Sequence, residues 1–249
     1  SAASDVYKRQ GMGRIGISAV SELVLLKESL DMRKDFYIEG IFTHFATADE
    51  EDAAYFESQT VKFEMMLDAL GSFPKMVHVA NTATALIKDA KYQYNAVRFG
   101  ISMYGLSPSS YVAELLPFAI EPAMTLETEL IHVKEIQAGD AVGYGATFIA
   151  KERAFIGTLP IGYADGMIRK LSGQEVLVAG KRVPIIGRIC MDQCMVLLPE
   201  AYNIGEQVIL IGSQMDETVS IDEWAEKLET INYEIPCILT SRVPRIYQM

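Results

Sequence analysis

No long apolar run occurs anywhere in the chain. Its hydrophobic stretches are short and punctuated by charge, so none approaches the roughly 20 apolar residues that a membrane-spanning helix needs. Ser1 to Gln10 also lacks the apolar middle of a signal peptide. Positive charge is in deficit: 22 Lys and Arg against 33 Asp and Glu leave a formal net charge of -11. Nucleic-acid binding depends on clustered cations that neutralise phosphates, so this balance argues against it and favours small ligands or protein partners. Cysteine is scarce, and Cys190, Cys194 and Cys237 are odd in number without C-x-x-C spacing, which suggests neither a disulfide framework nor a zinc ribbon. His44, His78 and His132 are too scattered to read as a metal cluster, so no metal is expected. A cytoplasmic protein with no membrane and no nucleic-acid partner is the expectation.

What is present is enough apolar material for a substantial core: 50% of 249 residues, sufficient for one large domain or two ordinary ones. From Ser18 to about Ser110, helix-like and short strand-like segments alternate, as βα repeats of a parallel sheet do. Ala53, Phe56, Thr60, Phe63, Leu67 and Leu70 are spaced by three and four, which predicts an amphipathic helix over Ala53 to Leu70. Strands are expected at Tyr37 to Phe45, Lys75 to Ala80 and Asn95 to Ile101. Their C-terminal ends, where parallel α/β folds gather their chemistry, carry His44, Asn81 and Arg98. Beyond Pro108 the texture becomes all-β, with strands expected at Met124 to Ile136, Arg153 to Ile161, Gln174 to Ile186 and Glu206 to Ile211. One helix is expected there, over Ser220 to Glu229, opened by the capping pair Ser220 and Glu223. The division that follows is an α/β domain over 1–115 and a β-rich domain over 116–249, with the boundary between Ser109 and Pro122.

Several motifs carry more than one reading. Gly11-Met12-Gly13-Arg14-Ile15-Gly16 matches G-x-G-x-x-G, which cradles a pyrophosphate only when an apolar strand precedes it. Val6 to Gln10 does not read as such a strand, so a structural turn is the stronger reading. His44 at a strand end reads plainly as a histidine satisfied by its neighbours. Arg98 follows Ala96 and Val97 in an apolar stretch, and a buried guanidinium needs partners. Asn81 and Thr82 alone are helix-capping residues, and Tyr233 alone is an ordinary half-buried aromatic. Tyr144 stands between Gly143 and Gly145, which either makes a turn or exposes its ring on a bendable backbone. Asp165 reads as a turn acid, Arg188 as an ion-pair partner and Cys190 as a small buried residue.

The runs H-F-A-T-A-D (His44 to Asp49), H-V-A-N-T-A-T (His78 to Thr84), V-R-F-G-I-S-M-Y-G-L-S-P-S (Val97 to Ser109), Y-G-A-T-F (Tyr144 to Phe148), G-Y-A-D-G (Gly162 to Gly166), G-R-I-C-M-D-Q (Gly187 to Gln193) and S-R-V-P-R (Ser241 to Arg245) follow one another in a recognisable order. The chain resembles the alanine racemases, pyridoxal-phosphate isomerases that interconvert L- and D-alanine, over nearly its whole length. The resemblance implies the C-terminal half of a (β/α)8 TIM-type barrel followed by a β-strand-rich C-terminal domain. It also implies a family member missing its front. The family's Schiff-base lysine, in an A-V-V-K-A-N-A-Y-G-H-G-like segment, has no counterpart between Ser1 and Met249, so the chain as written is expected to be inactive. Lys134, after the apolar Leu130 to Val133, is the nearest substitute and is rejected because no N-x-Y-G follows it. Ser1 to Gln10, where the family has a strand running into D-T-G-M-G-R, is read as non-native or misread.

By the same resemblance, Arg14 reaches the cofactor's phenolic oxygen and the substrate carboxylate, His44 and Arg98 support the chemistry, and Arg98 bonds the pyridine nitrogen. Asn81, Thr82, Gly100, Ile101 and Tyr233 surround the phosphate. Tyr144 is the second catalytic base, and Tyr144, Tyr163, Met191 and Asp192 enter the substrate site of the other subunit of a homodimer with composite sites. The alternatives are a broad-specificity amino-acid racemase, a decarboxylase of the same architecture, or a non-catalytic fragment or pseudoenzyme.

Overall fold

The computed structural model describes residues 4–7, 12–14, 16–33, 35–71 and 74–247. The chain divides into a first unit, Ser1–Glu121, and a second, Pro122–Met249.

In the first unit strands and helices alternate: β1 (Ser4–Tyr7), α1 (Val20–Asp31), β2 (Ile38–Phe42), α2 (Ala54–Leu70), β3 (Met76–His78), α3 (Thr82–Ile87) and α4 (Ser110–Leu115). The strands form a parallel sheet in the order β1-β2-β3, with Phe42 level with Tyr7 on one side and His78 on the other. Helix α2 forms where the spacing predicts it, because Phe56, Thr60, Phe63, Met66 and Leu70 make one continuous buried stripe. It ends at Gly71, whose φ of 69° is the left-handed conformation of a helix cap. The stripe packs into a core with Leu23, Ile41, Phe45, Val77 and Val79. Each such side chain contributes about 1.5–3 kcal/mol by leaving water.

Two expectations change here. Ser4–Tyr7 is a strand, although Val6 to Gln10 does not read as one: its pairing with β2 supplies what its own composition does not. Residues 1–3 and 8–11 lie outside the described residues, so most of the Ser1 to Gln10 reading, and Gly11 and Ile15 of the glycine motif, fall outside them too. Asn95 to Ile101 is not a regular strand. It meets β3 through the parallel bridge of Ala80 with Val97 and through Asn95, whose amide donates to the Val77 carbonyl and whose side-chain oxygen accepts the Val77 amide, and Ile101–Tyr104 turns into a 3-10 helix.

The second unit holds β4 (Leu126–Glu129), β5 (His132–Ile136), β6 (Ala141–Val142), β7 (Phe148–Ile149), β8 (Ala154–Leu159), β9 (Glu175–Val178), β10 (Lys181–Ile186), β11 (Cys194–Leu198), β12 (Gln207–Gln214), β13 (Glu217–Val219), α5 (Ile221–Leu228) and α6 (Glu234–Ile238). Its main sheet has eight strands in the order β13-β12-β9-β10-β11-β8-β5, with β4 also on β12. Met124 to Ile136 breaks into β4 and β5 because the chain changes partner there, from β12 to β8. Gln174 to Ile186 is a hairpin, since Ala179 and Gly180 both take positive φ, 48° and 74°, in the tight turn between its strands. Strand β11, the short apolar run C-M-V-L-L directly after the G-R-I-C-M-D-Q motif, is an additional strand that pairs with β8 and β10. Helix α5 has the expected Ser220 and Glu223 capping box, and α6 is an additional short helix. The core is built from Ile156, Leu159, Leu177, Ile185 and Trp224, all essentially sealed from solvent. Among the described residues no helix is long and apolar enough to cross a membrane.

Candidate active site

In the first unit the chemistry gathers on Arg98. Its Nη1 donates to the His78 carbonyl at 3.0 Å and meets His78 Nδ1 at 2.5 Å. Its Nη2 donates to the Thr43 carbonyl at 2.7 Å and meets His44 Nδ1 at 3.1 Å. A guanidinium carries donors only, so both imidazoles present an unprotonated Nδ1 to it. Phe42, which stacks on the His78 ring with centroids 4.8 Å apart, also lies 5.5 Å beneath the guanidinium carbon. Partial burial, then the charges of Arg98 and Arg14, hold the His44 pKa below its ordinary value. His44 is therefore neutral at neutral pH.

The turn that carries His44 is fixed almost entirely by side chains. Besides Arg98 on the Thr43 carbonyl, Gln59 Nε2 donates to the His44 carbonyl at 3.0 Å, and Gln59 Oε1 accepts from the Ala46 amide at 3.0 Å. Asn81 Nδ2 donates to the Phe45 carbonyl at 3.2 Å. Asn81 Oδ1 in turn accepts from the Thr84 amide at 3.0 Å, which caps α3. Thr82 Oγ1 accepts the Gly100 amide at 2.8 Å. That bond joins the start of α3 to the 3-10 turn that begins at Ile101. Among the described residues the Thr82 hydroxyl hydrogen has no protein acceptor, so it remains available to an oxygen ligand.

In the second unit three separate motifs interlock. Tyr163 N donates to the Cys190 carbonyl at 2.9 Å and Ala164 N to the Met191 carbonyl at 3.0 Å. At Gly162 a β-carbon would lie 2.3 Å from the Met191 carbonyl oxygen, so only glycine permits this approach. Asp165, 7% exposed, accepts the Gly162 amide at 2.9 Å and pairs with Arg242 Nε at 3.0 Å. Arg242 Nη2 reaches Asp192 at 2.6 Å, and Thr240 Oγ1 donates to the Ala164 carbonyl at 2.9 Å. Burial pushes the Cys194 thiol up to about 12, so it stays protonated.

Tyr144 is 71% exposed in a one-turn 3-10 helix between Gly143 and Gly145, whose φ values are 76° and 74°. The Arg188 guanidinium lies against Gly145, 3.1 Å from where a β-carbon would sit. Among the described residues Arg188 forms no ion pair, which corrects the reading of it as an ion-pair partner: it packs on the tyrosine turn instead. A cleft of about 980 Å³ in this unit, between Thr147 to Phe155, Lys181 to Pro184 and Leu197 to Pro199, contains none of Tyr144, Tyr163, Met191 or Asp192. It opens because β10 pairs with β9 over Lys181 to Pro184 and joins β11 only from Ile185.

Comparison with known proteins decides the family. The family model "Alanine racemase, N-terminal domain" matches residues 8–108, and "Alanine racemase, C-terminal domain" matches 123–247. The chain belongs to the alanine racemase family. It is 49% identical to the alanine racemase of Listeria innocua over 237 residues, covering 95% of this chain and 64% of that relative. The structure of alanine racemase from E. faecalis superposes with a TM-score of 0.93 at 46% identity, covering 99% of this chain and 66% of that one. The structure of the Bacillus anthracis enzyme with bound L-Ala-P gives 0.92 at 45% identity, covering 100% and 66%. The chain thus spans about two thirds of the length of these alanine racemases.

Of the residues singled out in the sequence, Arg14, His44, Asn81, Thr82, Arg98, Gly100 and Ile101 lie in the first unit, and Tyr144, Tyr163, Met191, Asp192 and Tyr233 in the second. Arg98 and His44 are in direct contact, as are Thr82 and Gly100. Asp192 is held by Arg242, and Tyr233, 39% exposed, precedes α6. Lys134 is exposed on β5, an edge strand, without the desolvation that would make it a nucleophile. Three residues with no assigned role in the sequence prove central: His78, Gln59 and Arg242. A glutamine within the buried stripe of α2, between Phe56 and Phe63, is the signal that could have found Gln59, because a buried amide needs partners.

Proposed function

We propose that this chain is the back part of a pyridoxal-phosphate-dependent alanine racemase, with its first unit forming the C-terminal half of a (β/α)8 barrel. The observation that carries this reading is Arg98, whose guanidinium is shared by His44 and His78 at the C-terminal end of the parallel sheet. The donor set suits the cofactor. Thr82 offers a hydroxyl hydrogen and the turn after Gly100 offers the Ile101 amide, as a phosphate requires, while the Gly100 amide is held by Thr82 Oγ1 and Asn81 fixes the frame; the resemblance adds the Tyr233 phenol. Arg98 cannot surrender its proton, so it can hold a pyridine nitrogen only as an acceptor.

Pyridoxal phosphate, when bound, supplies an electron sink that acidifies the substrate's α-hydrogen. Arg98 limits that sink, which favours prompt return of the proton over side reactions. Arg14 and the Met191 amide orient the substrate carboxylate. Tyr144 takes or returns the proton on one face, and Tyr163 and Asp192 narrow the entrance. Because these second-unit residues serve the site of the other subunit, the reading implies a cytoplasmic homodimer with two composite sites. By the resemblance, the base of the opposite face is a lysine in an A-V-V-K-A-N-A-Y-G-H-G-like segment, and no such segment lies within these 249 residues.

The test is racemisation of alanine, serine and lysine by the full-length protein. Alanine turned over fastest supports the reading, whereas a preference for serine or lysine overturns the substrate assignment.

A further inference from the structure

We propose that Gln59 is a positioning residue for the site: its carboxamide clamps the His44 to Ala46 turn to α2 and so holds the His44 imidazole with Nδ1 against Arg98. The inference rests on the functional reading of His44 and Arg98 and adds a residue to it.

Gln59 is 3% exposed and lies on the apolar stripe of α2, where a polar side chain costs free energy unless its bonds are made. Both ends of its amide are used on one turn, the nitrogen on the His44 carbonyl and the oxygen on the Ala46 amide, each at 3.0 Å. Those two peptide groups flank Phe45, whose ring is pinned in the core 4.3 Å from that of Phe56, one helical turn before Gln59. The same helix thus grips the turn through a ring and an amide. His44 is left little freedom except about its own side-chain torsions. The charged groups acting on its ring are Arg98 and Arg14, and Gln59 and Asn81, which hold its backbone, are uncharged. A shift of the ring away from Arg98 therefore changes its titration in one direction, upward, since both burial and positive charge would be relieved.

The first measurement needs no variant. Amide hydrogen exchange on this chain should show the Ala46 amide at least ~100-fold slower than that of the exposed Glu51, because its acceptor, Gln59 Oε1, is buried within the helix stripe. Equal exchange overturns the clamp. The second compares ring titrations in Gln59→Met and Thr60→Val by NMR, with His132 of the second unit as an internal reference signal. Among the described residues the Thr60 hydroxyl bonds within α2, to the Phe56 carbonyl, so its replacement weakens the same helix without touching the turn. The expected result is an upward shift of His44 toward 6.5 in Gln59→Met and none in Thr60→Val. Shifts of equal size, or none in either, overturn the proposal. If His44 of the unmodified chain carries its proton on Nδ1, the Arg98 pairing itself fails, and with it the functional reading rather than the role of Gln59 alone. Should Gln59→Met not fold, the exchange of Ala46 decides.

Discussion

The two units hold their key residues by opposite means. In the first, the turn bearing His44 is held by side chains reaching from elsewhere: Arg98, Gln59 and Asn81 each take a backbone group of residues 43 to 46. In the second, the loops bearing Tyr163 and Met191 meet backbone against backbone, at a separation that admits no β-carbon on Gly162, and the side chains of Asp165, Thr240 and Arg242 bond around that contact. A side-chain clamp can be loosened one bond at a time, whereas a backbone contact either fits or does not. The first unit should therefore respond to substitution by degrees and the second abruptly.

The sharpest test of that contrast is Gly162→Ala. With a carbonyl oxygen 2.3 Å from the added carbon and backbone on both sides, the loops must part. The expected cost is about 3–5 kcal/mol, read as loss of the second unit's thermal transition. A melt like that of the unmodified chain would show that the loops separate easily. Next, Arg98→Leu leaves the buried Thr43 carbonyl and the His78 carbonyl without their donor. A loss of about 2–3 kcal/mol in urea unfolding is expected, with the fold retained. Thr82→Val removes the acceptor of the Gly100 amide and should cost about 1–2 kcal/mol, while Thr82→Ser should be near neutral and keep phosphate affinity.

A smaller effect is expected from pH. The folded-state pKa of His44 is depressed, so its neutral form is favoured by folding. The corresponding stability is complete above the unfolded value near 6.5 and is lost as pH falls through it toward the lower folded value. His44→Asn should flatten the slope of stability against pH in that window. Smallest of all is Asp192→Asn, which breaks a solvent-exposed pair with Arg242. The thermal midpoint should stay within error, since exposed pairs add little.

How far the sequence foretold this differs between the units for the same physical reason. Helix α2 and the capped helix α5 were legible because an apolar period and a capping box are local signals. The strand β1 was not, since its pairing partner is over thirty residues away. Nor was the hairpin of β9 and β10, where a run of apolar residues conceals the Ala179-Gly180 turn. His44, Arg98, Thr82 and Tyr144 stood out through their motifs. His78 and Gln59 did not: each acts through contacts made only once β2, β3 and α2 are assembled. Arg242 lies in a quoted motif, yet its reach to both Asp165 and Asp192 depends on three segments meeting.

The central claim is that this chain contributes one of two opposed bases, and deuterium exchange at the α-carbon of alanine tests it most directly. In D2O, the full-length protein carrying Tyr144→Phe should exchange the α-hydrogen of one enantiomer and not of the other. Equal exchange of both enantiomers, or equal loss of both, would contradict the assignment of Tyr144 as the base of a single face.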